Sequence, residues 1–159
     1  MKISILAAGK LKEKYLSEGI KEYLKRMTPY AKLDITEVPD EPWPENASPA
    51  IEDQVRQREA ERLMKKLRPG TFLIVLDPRG KMYSSEEMAD KLQELALNGR
   101  SDVTFIIGGS VGLAPSVVER ADLLLSISKL IFPHQLMRLL LMEQIYRWFK
   151  ILKNEPYHK

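Results

Sequence analysis

The sequence predicts an α/β fold, in which a mainly parallel sheet is flanked by helices. Segments with strand-like and helix-like patterns alternate almost from end to end, which is typical of a parallel sheet with helical crossovers. Residues 71–76 and 103–107 are also apolar on both faces, as the central strands of such a sheet are. The length of 159 residues lies in the range of one domain, so we expect residues 1–159 to form a single domain.

Capping signals and prolines set the boundaries of the predicted elements. Ser48, which precedes a proline, is a typical N-cap. Ser84 and Glu87 form a capping box for a helix that Gly99 is expected to end. Four prolines within residues 39–49 exclude regular structure from that loop. The predicted strands are 2–8, 32–38, 71–76, 103–107 and 123–127, and the other predicted helices are 14–27, 49–67, 115–121 and 133–150.

The composition excludes several classes of protein. No cysteine is present, which excludes disulfides, thiolate catalysis and cysteine-ligated metal centres. Only two histidines are present, which supplies few ligands for any other metal site, so no metal is expected. No apolar run reaches the roughly 18 residues of a transmembrane helix, and the first residues do not resemble a signal peptide. We therefore expect a cytoplasmic protein without a membrane partner, and the net charge of +3 permits a polyanionic partner without identifying one.

Cationic side chains cluster on the helix predicted after the proline-rich loop. They lie outside its apolar stripe, and a solvated helix face is the simpler interpretation. Contact with RNA phosphates is the alternative. The residues concerned are Arg56, Arg58, Arg62, Lys65 and Lys66.

The last predicted helix is apolar on most of its surface. Leu136, Leu139 and Leu140 mark one apolar face, and a second face of the helix is also apolar. A helix that is apolar on most sides must be buried on most sides. We therefore expect a homodimer, and burial between the sheet and loops of the same chain is the alternative. The second face comprises Met137, Leu141, Ile145, Trp148 and Leu152.

A ligand site is expected at the carboxyl ends of the strands, where open α/β sheets bind ligands. Three of these ends, residues 76–80, 107–112 and 127–134, carry suggestive side chains or glycines. The glycines of the second segment permit close approach of a ligand to the backbone. Neither the G-x-G-x-x-G pattern of dinucleotide folds nor a G-x-x-x-x-G-K-[ST] phosphate loop is present, so a conventional nucleotide fold is not supported.

Few titratable side chains are candidates for catalysis. His134 lies at a predicted helix start, where the helix field favours a neutral imidazole that acts as a base or, alternatively, holds the loop. Glu143 and Arg147, four residues apart, are expected to form an intrahelical pair. Residues 156–159 are expected to be frayed. In this segment Tyr157 could nevertheless stack on a base, His158 could exchange a proton, and Lys159 could contact a phosphate.

Several segments of the second half, together with size and segment order, resemble one family. The chain is similar to the bacterial large-subunit ribosomal RNA pseudouridine N3-methyltransferases (the RlmH family) of the SPOUT superfamily. The resemblance implies an α/β fold with a C-terminal trefoil knot, a homodimer, and S-adenosylmethionine bound between the knotted loops. The segments that carry it are 76–81, 106–109, 112–113, 125–128, 133–138, 143–147 and 156–159.

The resemblance also implies a substrate and roles for individual residues. The substrate would be a pseudouridine of 23S ribosomal RNA in the assembled ribosome, methylated at N3. His158 would accept the N3 proton, with His134 as second choice, and Tyr157 would position the base. Arg138 and Arg147 would stabilise negative charge on the ring or bind phosphate. The implied cofactor residues are Leu76, Gly108, Ile127, Ser128, Lys129, Leu130, Ile131 and Phe132. A non-catalytic ribosome-associated assembly protein with the same dimeric fold is the alternative.

Overall fold

Five strands and five helices alternate along the chain in the computed structural model, which describes residues 1–159. The alternation predicted from the sequence is confirmed, and most boundaries agree to within two residues. The strands are β1 (Lys2–Ala8), β2 (Lys32–Val38), β3 (Phe72–Met82), β4 (Asp102–Ile107) and β5 (Leu123–Ser126), and the helices are α1 (Lys14–Met27), α2 (Pro49–Lys65), α3 (Ser85–Leu97), α4 (Pro115–Arg120) and α5 (His134–Leu152).

The strands form one sheet in the order β2-β1-β4-β3-β5, and every neighbouring pair is parallel. All five carboxyl ends therefore lie at the same edge. Alternate side chains of β1 enter two different cores: Ile3 and Ile5 pack with α1, α3 and α5, whereas Leu6 and Ala8 pack with α2 and α4. The result is three layers, with the sheet buried between two groups of helices.

Strand β3 extends beyond the predicted end at residue 76. Leu76 and Lys81 both pair with Leu125 of β5, so residues 77–80 bulge out of the strand and the chain then rejoins the ladder. A Cβ atom on Gly80 would lie 2.6 Å from the carbonyl oxygen of Leu124, so only glycine permits this close return. The predicted turn is thus a bulge within one strand, which carries residues 77 and 78 to the carboxyl edge.

The arginines of α2 hold two loops against the helix. Arg62 donates to the carbonyl oxygen of Pro39 at 2.9 Å and, like Arg58, pairs with Glu41. Arg56 donates to the carbonyl oxygen of Val111 at 3.2 Å. Arg56 and Arg62 therefore fasten the glycine loop and the proline-rich loop, a role that the sequence did not indicate. Arg58, Lys65 and Lys66 are exposed, as a solvated helix face predicts, and contact with RNA phosphates stays the alternative.

Helix α5 buries one face completely and leaves a second apolar group half-buried. Its buried apolar residues lie against the sheet, while Leu136, Leu139 and Leu140 are partly exposed. Leu139 packs on Gly19 of α1, where a Cβ atom would come within 2.9 Å. No helix in the structure combines the length and the apolar character needed to cross a membrane. Leu141, Ile145 and Trp148 of the second face are buried within this chain, as the alternative interpretation expected, and the homodimer stays a prediction. The buried apolar residues of α5 are Leu141, Met142, Ile145, Tyr146, Trp148 and Phe149.

Replacement of Ser84, the N-cap of α3, should measurably lower the stability of the protein. Ser84 Oγ accepts the amide N–H of Glu87 at 3.1 Å, and Glu87 Oε2 accepts the amide N–H of Ser84 at 2.7 Å, as the capping box predicted. Ser84→Ala removes one of these bonds and is expected to lower the free energy of unfolding by about 1 kcal/mol. Urea unfolding checks this, with the exposed Ser101→Ala as control. Equal midpoints for both variants would contradict a contribution from the cap.

Candidate functional site

A cleft of about 680 Å³ opens at the carboxyl ends of β3, β4 and β5, three adjacent strands of the sheet. The position is the one that the sequence predicts for a ligand. Its walls come from the β3 bulge, the loop after β4 and the segment that joins β5 to α5. Three segments that are distant in the sequence therefore meet at one site.

Most residues implied as cofactor contacts line this cleft. Lys129 does not, although its neighbours on both sides do. The carboxylate of Asp77 and the side chain of Met137 are further lining groups, for which the sequence predicted no cofactor contact. The sequence contained a signal for Asp77, because this residue directly follows an apolar strand. The implied cofactor residues in the lining are Leu76, Gly108, Ile127, Ser128, Leu130, Ile131 and Phe132.

The loop after β4 is compact, and its glycines are required for different reasons. Gly109 and Gly112 form an antiparallel bridge, and Gly112 has a φ of +81°, which favours glycine. A Cβ atom on Gly108 would lie 2.8 Å from Leu113 Cγ and 3.1 Å from the carbonyl carbon of Gly112. Because side chains are absent here, the backbone of this loop forms part of the cleft wall.

Gly108→Ala is expected to weaken binding of a cofactor in the cleft about tenfold, which corresponds to roughly 1.4 kcal/mol. The added Cβ must displace Leu113, whose Cγ would lie only 2.8 Å away, and it also crowds the backbone of Gly112. Calorimetric titration with S-adenosylmethionine measures the effect.

Gly70→Ala is a matched control for this variant. Gly70 has a φ of +77° and lies before β3, at the opposite edge of the sheet, so its replacement strains the backbone without touching the cleft. It should lower stability and leave the affinity unchanged. Equal affinities of wild type and Gly108→Ala would show that the glycine loop does not contact the cofactor.

The cleft suits a ligand with a flat apolar part and hydroxyl groups. Leu130 and Ile131 are 71% and 78% exposed on its rim, and a planar ring could cover both. Asp77 is the only carboxylate in the lining, and its hydrogen bonds with Arg79 keep its pKa below the usual range. An ionised carboxylate accepts hydrogen bonds from ribose-type hydroxyls. The residues present thus fit a nucleoside cofactor.

His134 lies in the cleft as the first residue of α5. Burial lowers the pKa of its imidazole, and the charge of Arg138 lowers that pKa further. The neutral form expected from the sequence is supported, but the main cause is burial and not the helix field. A neutral imidazole in the cleft can accept a proton or a hydrogen bond.

The lowered pKa of His134 should make stability depend on pH. Between that value and about 6.5, the ordinary value of an unfolded histidine, the unfolded chain binds more protons at this position than the folded chain. Stability contributed by neutral His134 is therefore present above pH 6.5 and is lost as the pH falls through this window. His134→Asn should show a weaker decline from pH 7.5 to 5.5 in urea unfolding. Identical declines in both proteins would contradict this cause.

Arg138 has a structural position, which corrects its expected role at the substrate. Its side chain is 1% exposed, pairs with Glu37 at 2.7 Å and donates to the carbonyl oxygens of Ala8 and Gly9 at 2.9 and 2.8 Å. A guanidinium group enclosed in this way cannot bind a phosphate or a substrate ring. Arg138 instead ties the end of β1 to α5.

The C-terminal segment is folded onto the chain, so the expectation that it frays is wrong. Tyr157 packs edge to face on Tyr146 with ring centroids 4.9 Å apart, and its hydroxyl donates to Glu143 at 3.1 Å. Burial raises the pKa of this phenol well above its usual value. Arg147 pairs with Glu143, as predicted, and lies over the Tyr157 ring with 4.8 Å between the guanidinium carbon and the ring centroid.

His158 is held between two charged side chains. Arg147 Nη1 lies 3.1 Å from its Nδ1, and Glu86 Oε1 lies 2.7 Å from its Nε2. Because the guanidinium group can only donate, Nδ1 accepts a hydrogen bond from Arg147. Nε2 therefore carries the imidazole proton and donates a hydrogen bond to Glu86. This cluster of His158, Tyr157, Arg147 and Glu143 does not line the cleft of its own chain. No three acidic or histidine side chains are close enough to hold a metal ion.

Comparisons with known proteins agree with this architecture. A family model described as "Predicted SPOUT methyltransferase" matches residues 1–158. A protein named ribosomal RNA large subunit methyltransferase H from Desulforamulus reducens is 77% identical over 159 residues, which cover 100% of this chain and 99% of that protein. A protein of the same name from Pelotomaculum thermopropionicum is 60% identical over 156 residues, 98% of each chain.

A solved structure shows a related fold. It is described as a probable methylase family protein from Haemophilus influenzae Rd KW20, and it matches with a TM-score of 0.51 and 13% identity. The match covers 99% of this chain and 70% of the other. At this identity the likeness concerns the fold alone. The family model and the two relatives match almost the whole length, and the chain therefore belongs to the SPOUT methyltransferase family.

Proposed function

We propose that the chain is an S-adenosylmethionine-dependent methyltransferase that modifies N3 of a pseudouridine in 23S ribosomal RNA of the assembled ribosome. The observation that carries this proposal is the nucleoside-sized cleft at the carboxyl ends of β3, β4 and β5, in a chain of a methyltransferase family. The names of the relatives support the RNA class of the substrate. A net charge of +3 suits a small protein that contacts phosphates of a preformed particle.

The cofactor, when bound, supplies an electrophilic methyl group on a sulfonium. The backbone of the glycine loop would hold the cofactor, and Leu130 and Ile131 would cover its ring. The carboxylate of Asp77 would accept hydrogen bonds from its ribose hydroxyls. The walls of the cleft would exclude water and fix the direction of attack, which is the main requirement of an in-line displacement. The N3 atom must lose its proton before it attacks, and His158 is our preferred acceptor of that proton, with His134 second.

The working unit of the proposal is a homodimer in the cytoplasm with a trefoil-knotted C-terminal half. The half-buried leucines at 136 and 140 support the dimer, because solvent would otherwise reach them. The folded cluster around His158 lies outside the cleft of its own chain, which supports delivery of Tyr157 and His158 to the cleft of a partner. Arg147 would then position His158 through Nδ1.

Methylation of purified ribosomes tests the proposal directly. The protein is incubated with S-adenosylmethionine and either assembled ribosomes or free 23S RNA, and the RNA is digested and measured by mass spectrometry. The expected product is one N3-methylpseudouridine, formed on assembled ribosomes and not on free RNA. Absence of the product together with absence of cofactor binding in calorimetry would favour the non-catalytic assembly protein. A methyl group on another nucleotide would contradict the proposed substrate.

A further inference from the structure

The glycine loop after β4 contacts a buried acidic side chain, Glu59 of α2, which is not part of the cleft lining. Gly109 lines the cleft, whereas Glu59 does not. A Cβ atom on Gly109 would lie 3.1 Å from Glu59 Oε1 and 3.5 Å from Glu59 Oε2. The carboxyl group of Glu59 therefore occupies the space into which a side chain at position 109 would project.

This contact is the restriction that the structure places on residue 109. The φ of Gly109 is not positive, unlike that of Gly112, so the backbone itself does not demand glycine here. Apart from the two oxygens of Glu59, the nearest atom to an added Cβ is Ala8 Cβ at 3.6 Å, an ordinary van der Waals distance. The position of the Glu59 carboxyl group is thus what excludes a larger residue from the loop.

Glu59 is buried in surroundings that do not favour a carboxylate. It is 4% exposed, its Oε1 has no hydrogen-bond partner, and its Oε2 accepts the amide N–H of Glu41 at 3.0 Å. Burial raises the pKa of this carboxyl group, and the hydrogen bond from Glu41 offsets only part of the shift. The charge of Asp40 raises the pKa further, while the nearby Arg62 pairs with Glu41. A buried carboxyl group of this kind is a candidate for a functional role.

Helix α2 holds the glycine loop at a second point, close to Glu59. Arg56 donates to the carbonyl oxygen of Val111 at 3.2 Å, and Val111 also lines the cleft. Arg56 and Glu59 are three residues apart in α2 and therefore lie on the same side of the helix. Both contacts fall on a loop that is closed by the bridge between Gly109 and Gly112. One face of α2 thus supports the part of the cleft wall that carries no large side chain.

We propose that Glu59 is a positioning residue for the cofactor, and that its buried carboxyl group fills the space beside Gly109 and fixes the glycine loop in the conformation that contacts S-adenosylmethionine. The inference rests on the proposed function, which assigns the cofactor to this cleft. Because Glu59 lies outside the lining, it acts on the affinity for the cofactor through Gly109. The shape of the side chain and its acceptor for the Glu41 amide carry this role, so a neutral glutamine should fulfil it.

Calorimetric titration of the whole protein with S-adenosylmethionine tests the role of Glu59. Glu59→Ala leaves an empty space beside Gly109 and is expected to lower the affinity about fivefold. Glu59→Gln has nearly the same volume and keeps an oxygen for the Glu41 amide, so its affinity should stay within about twofold of the wild type. Wild-type affinity in Glu59→Ala would overturn the proposal. A loss in Glu59→Gln as large as that in Glu59→Ala would also overturn it, because the shape of the side chain would not suffice.

Leu63→Val is the matched control for a general loss of stability. Leu63 is fully buried in the same helix, about one turn beyond Glu59 in the direction of the opposite edge of the sheet. The loss of a buried methylene group should lower the urea midpoint and leave the affinity for S-adenosylmethionine unchanged. If Leu63→Val weakens binding as much as Glu59→Ala does, reduced stability explains the effect and the proposal fails.

A double-mutant cycle tests the contact between Glu59 and Gly109 itself. Gly109→Ala places a Cβ atom against the carboxyl group and is expected to lower the affinity about fivefold. In the Glu59→Ala background that space is free, so the same substitution should lower the affinity by less than about twofold further. Losses that simply multiply would show that the two residues act independently and would overturn the proposal.

These measurements need no RNA, so their outcomes separate the inference from the proposed function. If the wild type binds S-adenosylmethionine and methylates no pseudouridine, the proposed function fails, and the variants still decide the role of Glu59. If the wild type methylates ribosomes and Glu59→Ala binds the cofactor as tightly, the proposed function stands and Glu59 is not a positioning residue. Absence of cofactor binding in the wild type would overturn both.

Discussion

Arg138→Met is expected to lower the free energy of unfolding by about 3 kcal/mol. The substitution removes a buried guanidinium that pairs with Glu37 and satisfies the carbonyl oxygens of Ala8 and Gly9. Those carbonyl groups then lack a donor, and Glu37 loses its cation. Because the side chain of Glu37 is 39% exposed, the cost should lie at the lower end of the 3–5 kcal/mol typical of broken buried pairs.

Urea unfolding at fixed protein concentration measures this effect, since dimerisation would make stability depend on concentration. Arg26→Met is the matched control, because Arg26 pairs with Glu22 on the surface of α1 and its loss should lower stability much less than the loss of Arg138. In the double variant with Glu37→Gln, the cost should be smaller than the sum of the single costs. A change below 1 kcal/mol for Arg138→Met would contradict the structural role and restore contact with RNA as an explanation.

Local patterns in the sequence predicted most of the fold. The bounds of β1, α1 and β2 are the predicted ones, because apolar periodicity and prolines act within a few residues. The capping box at Ser84 is equally local. The end of β3 was not predictable in the same way, since it depends on renewed pairing with β5, more than forty residues later. Register between distant strands is a tertiary property.

The site was predictable by position and less so by residue role. Strand ends in a parallel sheet meet at one edge, so the sequence located the cleft and most of its lining. Arg138 was misjudged because its burial depends on Glu37, 101 residues away. The C-terminal segment was misjudged because the contacts of Tyr157 with Glu143 and Tyr146 are tertiary. A charged or aromatic residue near a motif indicates a possible role, and only its partners decide whether it is free to act.

His158→Ala is expected to lower the single-turnover rate of ribosome methylation about a hundredfold, the lower limit of typical general-base contributions. The imidazole is the proposed acceptor of the N3 proton, and Nδ1, its nitrogen without a proton, must release the hydrogen bond from Arg147 before it takes that proton. The affinity for S-adenosylmethionine should not change, because the three segments proposed to hold the cofactor do not include His158, whose proposed contact is with the base. Glu86→Gln keeps the imidazole and loses only a charged partner, so its rate should fall less than fivefold, which is below 1 kcal/mol.

Two further measurements separate proton transfer from a structural role of His158. Added imidazole should restore part of the rate of His158→Ala, whereas a packing defect would not respond. If His134→Asn shows the large loss and His158→Ala does not, the base is His134, which lies in the cleft of its own chain.

Mixed dimers test which cleft the histidine serves. One chain carries His158→Ala and the other carries Gly108→Ala, so neither homodimer is fully active. If the C-terminal segment acts on the partner, the mixed dimer contains one site with an intact cleft and an intact histidine, and activity should rise on mixing. If the segment acts within its own chain, every site has one defect and mixing should restore nothing. Because His158 lies outside the cleft of its own chain, we expect the first result.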